Sequence, residues 1–175
     1  AHKHDGPADA DLTTILERHD MQQVIATLKQ AAAIDRCDWS YANAGWPYVF
    51  RWFHADALWC GRLLVADAAR LIHAQRYDEA AERMAIGYRM CADIAIDGTL
   101  GGSLTAHRIF NDIDDLAAAA VDSRMLDEAQ IAVMHEGMNA LSRADPFHYQ
   151  PAIAQLRSNV TYPMRYWVQG LPKTL

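Results

Sequence analysis

The tripeptide Asp-Glu-Ala stands at 78–80 and again at 127–129, 49 positions on, each time just after a short polar turn. The segments around the two copies line up as well. Leu71 falls on Ala120, Ala68 on Ala117 and Met84 on Val133. A unit repeated at this length is a piece of supersecondary structure that cannot bury its apolar face alone, so neighbours stack to share a core. Between the turns, apolar residues recur at alternating steps of four and three: Tyr77, Ala81, Met84, Tyr88, Cys91 and Ala95, then Ile109, Ile113, Leu116 and Ala120. That is the period of helices burying one seam, and no segment alternates strictly as a half-buried strand would. The spacing predicts an all-α fold of antiparallel hairpins, stacked as a short solenoid or bundle of about six or seven helices.

Boundaries follow from the caps. Leu12, Ile15 and Leu16 begin a short helix, and Asp20 with Gln23 reads as a capping box opening a second, striped by Val24, Ile25, Leu28, Ala31 and Ala32. "RCDWSYANAGW" (36–46) reads as a loop, closed by Pro47 at the start of a long helix that runs to about Ala74. Asp78 and Glu79 place negative charge on the positive end of the next helix dipole. Gly98 suits a left-handed cap and Thr99 the cap of the helix that follows, from about 100 to 122. Ile131, Met134, Met138 and Leu141 form the last hairpin seam. Pro151 opens a final helix that Pro163 kinks or shortens. The reading is a flexible lead-in over 1–8 and one helical domain over 9–175.

"QRYDEAAERM", with Ala68 and Leu71 before it, resembles one tetratricopeptide unit, although the repeat is longer than the usual ~34 residues and Gly is missing before Tyr77. From about 20 to 122, "LKQAAAIDRCDW", "RYDEAAERM" and "YRMCADIAIDGTL" resemble a set of uncharacterised exported bacterial all-helical proteins. The chain departs from their pattern at Met90-Cys91-Ala92, Gly101-Gly102 and His107. The resemblance implies an all-helical fold and an exported or periplasmic origin, with a signal or anchor removed. It implies no activity. A cytoplasmic protein is the other reading.

A formal charge of −6 offers no basic face to nucleic acid or to an anionic membrane surface. No apolar run approaches the ~20 residues of a membrane span. The amine of Ala1 with His2 and His4 could hold Cu²⁺ or Ni²⁺ adventitiously, but a tag remnant or tail is the plainer reading, and no cofactor or metal is expected. The signatures HExxH, GxSxG, CxxC and the Walker lysine loop are absent. "GTLGGS" (98–103) leads into a helix N-terminus whose amides could hold phosphate, yet it lacks a preceding strand and a lysine. His107, Asn111 and Asp115, with Asp112 and Asp114 beside them, share a face; they read as a solvated stripe ahead of a cation or acid–base site. His54–Asp56 and His135–Glu136 point apart.

The remaining signal is aromatic. Eight of the 16 Phe, Trp and Tyr residues lie between Trp39 and Trp59, and five more between Phe147 and Trp167. They read first as a packed helix corner, second as a platform for a sugar or peptide, third as a homodimer face. The two clusters are expected to touch. Trp46, Tyr48, Trp52, His54, Trp59, His148 and Tyr149 are the candidate ligand-binding residues. The leading function is a non-catalytic helical-repeat module that binds a peptide or protein partner. The alternative is an exported enzyme or small-ligand protein, with carbohydrate as one ligand class and the pocket under residues 39–59. Cys60 and Cys91 stand at nearly one height above the Arg76 turn, which makes a disulfide between them a candidate and leaves Cys37 unpaired.

Overall fold

The computed structural model describes residues 8–34, 52–155 and 157, and all of its regular structure is helical. The elements are α1 (Ala8–Leu16), α2 (His19–Ala32), α3 (Trp52–His73), α4 (Tyr77–Ala95), α5 (Leu100–Asp122) and α6 (Glu128–Met138). A further helical segment, α7, begins at 149. The expected 36–46 loop, Pro47, Pro163, Cys37 and the lead-in to residue 7 lie outside the described residues. No described helix is long and apolar enough to cross a membrane.

The duplicated turn is present as geometry. Arg76 N donates to Leu71 O and Gln75 N to Ile72 O, the paired bonds of a Schellman turn; 49 positions on, Met125 N donates to Ala120 O and Arg124 N to Val121 O. Gln75 (φ 58°) and Arg124 (φ 55°) occupy the left-handed position that glycine normally fills. Side chains there cost roughly 1–2 kcal/mol, part of which glycine returns through its looser unfolded state. Gln75→Gly and Arg124→Gly should therefore each stabilise the protein by about 0.5–1 kcal/mol in urea unfolding, and a loss at both positions would contradict this account of the turns. Gln130 Nε2 reaches Asp78 Oδ1 at 2.9 Å, so the two turns project from the same end of the molecule.

α4 is the centre. All of its seam residues after Tyr77 are buried: Ala81, Met84, Tyr88, Cys91 and Ala95. α3 lies antiparallel to it, with Leu64 against Gly87 and Asp67 paired to Arg83. α5 returns alongside both. A Cβ on Gly61 would collide with the Ile109 side chain and one on Gly87 with Ile113, so two glycines make the holes into which two isoleucines fit. Contacts between α3 and α5 pair residues about 50 positions apart (Gly61 with Ile109, Arg62 with Asp112), so these helices run parallel. α6 packs on α4 rather than on the preceding α5, with Gly137 against the backbone of Ala85. The second hairpin is thus not a copy of the first.

Three local expectations need correction, one of them the last seam, where Met134 is buried but Ile131 is exposed. α2 has no capping box: the helix begins at His19 with Arg18 at the cap position, so Asp20 lies inside the first turn, where Arg18 grips its carboxylate through Nε and Nη2 (3.1 and 2.7 Å). The capping box belongs instead to α6, where Asp127 and Gln130 exchange bonds of 2.9 and 2.8 Å. The cysteine bridge is also absent, since Cys60 and Cys91 are both free thiols. Gly61, next to Cys60 on α3, admits Ile109 of α5. Burial raises the pKa of both thiols, with Asp56 adding to the effect at Cys60.

Candidate functional site

Three groupings of side chains could carry function. The first joins the start of α3 to the α4–α5 turn. His54 Nε2 lies 2.9 Å from Asp97 Oδ2, both side chains being essentially inaccessible (1% and 0%). The same carboxylate accepts from Thr99 N (3.1 Å) and Thr99 Oγ1 (2.9 Å), and the Thr99 hydroxyl in turn accepts from Gly102 N (3.0 Å). Gly98 supplies the left-handed turn (φ 72°), and Gly102 leaves the room that Asp97 Oδ2 needs. The "GTLGGS" loop therefore meets an anion, but the anion is the chain's own carboxylate, at a helix start where negative charge is favoured. This grouping joins three helices and is shut off from solvent.

The second lies where α5 meets the 145–149 turn. Phe147 stacks on His107 (4.7 Å between ring centres, 17°) and meets Phe110 edge-on (5.5 Å), while Phe110 packs on Tyr88 (5.3 Å). His107 Nδ1 and the Tyr149 hydroxyl are 2.9 Å apart. Asp145 caps α7, accepting from Tyr149 N and Gln150 N (2.9 Å each), and His148 sits in the left-handed region (φ 52°). Burial, with Asp114 next in size, pushes the Tyr88 phenol well above its usual pKa. Asn111, Asp114 and Asp115 are exposed, as a solvated stripe requires, while His107 goes to Tyr149, Asp112 lies near Arg62 (4.0 Å), and Asp114 accepts from Tyr88 at 3.4 Å. Among the described residues no group of three His, Cys, Asp or Glu side chains is placed to hold a metal ion.

The third is an open groove of about 610 Å³ between α1 and the second half of α3. Leu12, Leu16, Ala66, Ala69 and Ala74 supply most of its apolar surface, with Thr13, Glu17, Arg70 and His73 beside them. Leu12 and Ile15 expose nearly half their surface. α3 can offer a floor of alanines here because its other stripe, Leu64, Ala68 and Leu71, is the one that fills the core.

The residues expected to bind a ligand are not gathered in one place by the described contacts. Trp46 and Tyr48, with the side chain of Trp52, lie outside the description. His54 is buried against Asp97, Tyr149 packs on α5, and Trp59 stands 68% exposed with the Arg62 guanidinium over its ring at 5.7 Å. The expected touching of the two aromatic segments falls largely outside the described residues. Sequence reasoning missed Asp97 as the partner of His54, 43 positions away, for which no local pattern exists. It also missed the groove, whose signal is Ala66, Ala69 and His73 recurring at helical spacing on the face of α3 opposite its core stripe. The chain matches no family model, no curated protein and no solved structure.

Proposed function

We propose that this chain is a non-catalytic helical module that binds a peptide or a segment of a partner protein in the groove between α1 and α3. The observation that carries the proposal is the groove itself: open, about 610 Å³, floored by alanines and walled by leucines. A floor of small side chains lets another backbone approach closely, the requirement of helix-in-groove recognition. The polar groupings favour the same reading, because His54, Asp97 and Asp67 are each engaged in bonds that hold helices together. In this reading α3–α4 is one tetratricopeptide-like unit, with α5 set parallel to α3 as the first helix of a following unit would be, and the protein is exported.

The test is a selection of random displayed peptides on the intact protein, followed by titration of the selected peptides against Ala69→Trp. Tryptophan at this half-buried position fills the groove without entering the core. Peptides should bind the wild type and lose at least tenfold in affinity for the variant at an unchanged melting midpoint. Equal binding to both proteins would overturn the proposal. A second reading, an enzyme or small-ligand protein with its pocket under residues 39–59, draws support from His54, a buried imidazole on a carboxylate at the edge of that segment. It requires ligand binding that survives Ala69→Trp.

A further inference from the structure

We infer that α1 and α2 form an arm, latched to the α3–α4 hairpin by ion pairs that face water, and that these helices open while the α3–α6 core stays folded. The inference concerns the arm alone and stands whether or not the groove takes a peptide.

The arm is lightly anchored. Among the described side chains of α1 and α2, Leu16 and Ile25 are the buried hydrophobic ones, whereas α4 alone buries ten residues. Each fully buried aliphatic side chain contributes only a small part of what a complete helix face supplies. Met21, Val24, Leu28 and Ala32 of α2 are half-buried, and polar contacts add to the attachment. Glu17, just after α1, pairs with Arg70 at 3.5 Å; Lys29 of α2 pairs with Glu82; and Arg89 Nη2 donates to the Ile34 carbonyl at 3.2 Å.

These contacts are the ends of an alternating chain of six charges: Glu17, Arg70, Asp67, Arg83, Glu82, Lys29. The chain is sheltered in the middle and wet at both ends. Asp67 is inaccessible and Arg70 and Arg83 are mostly covered, while the side chains of Glu17 and Lys29 are 60% and 57% exposed. The division falls along the boundary of the arm. When α1–α2 leaves, Arg70 keeps Asp67 and Glu82 keeps Arg83, so no buried charge is stranded. Opening exposes Leu16 and Ile25 and, of the charge chain, forfeits only its two outer pairs, which are individually weak and screened by salt. Such local opening below the cost of global unfolding is how separate cooperative units show themselves.

Hydrogen–deuterium exchange on the intact chain tests this, at about 0.05 M and about 0.5 M sodium chloride. Amides of α1 and α2 should exchange faster than those of α4 and α5, and their protection should fall about three- to tenfold at the higher salt while α4 and α5 stay unchanged. In Lys29→Glu, α2 should lose protection already at low salt, and added salt should no longer lower it in the wild-type manner. Exchange of α1–α2 at the rate of the core in both salts would overturn the inference, as would a full wild-type salt response in Lys29→Glu.

Discussion

Asp67→Asn should cost this protein about 3 kcal/mol, a large fraction of the stability of a single domain. The Asp67 carboxylate is inaccessible and accepts three bonds: Arg70 Nε at 3.0 Å and Nη2 at 2.8 Å on Oδ1, and Arg83 Nε at 3.0 Å on Oδ2. It is the one anion between two guanidiniums on different helices. An amide has nearly the same shape, so no cavity forms, but its NH₂ group would face a guanidinium donor. Two mostly covered cations would then share a site without their counter-charge. The figure sits at the low end for a broken buried pair because both guanidiniums keep an edge toward water and Glu17 or Glu82. Urea unfolding measures it directly. A loss below about 1 kcal/mol would mean that the two arginines find other partners and that Asp67 is not the node joining α3 to α4.

Gly137→Ala should cost about 2 kcal/mol, while Gly87→Ala stays within about 1 kcal/mol of wild type. Both glycines lie in helices, where alanine is intrinsically better by up to ~1 kcal/mol. What differs is the obstacle. A Cβ at position 137 would sit 2.6 Å from the Ala85 carbonyl oxygen and 2.8 Å from its Cα, which are backbone atoms of the central helix, so α6 must move away from α4. At position 87 the obstacle is the far end of the Ile113 side chain, which can rotate aside and offset the strain against the helix gain. Paired melts of the two variants check the contrast. Equal costs would mean that the α4–α6 approach is looser than the structure has it.

Much of the helical layout was legible because it is local. The α4 seam from Ala81 to Ala95 is buried at every residue its period selects, and the C-terminal end of α3 and both ends of α5 fall within a residue of the turn and cap signals. The doubled turn was legible for the same reason, since a Schellman turn is made within six residues. What escaped was whatever depends on the choice between distant partners. Asp20-x-x-Gln23 and Asp127-x-x-Gln130 have the same pattern, yet α2 starts ahead of Asp20, whose carboxylate Arg18 holds, whereas Asp127 stands at the cap of α6. Height along a hairpin brought Cys60 and Cys91 level on paper, but it could not foresee that Ile109 and Ile113 of a third helix would fill the glycine holes beside them. His54 was weighed against Asp56, its neighbour in sequence, whereas its carboxylate is Asp97. The groove escaped because an alanine stripe reads as helix filler until a second helix is seen standing across it.

The most direct measurement of the central claim, that the α1–α3 groove is where this protein meets its partner, is an exchange footprint of a selected peptide on the intact chain. At saturating peptide, protection should rise over 12–17 and 66–74, the two stretches that line the groove, and stay unchanged around His54 and Asp97. Protection centred on His54 and the start of α5, with 66–74 untouched, would contradict the claim and place binding under the aromatic segment instead.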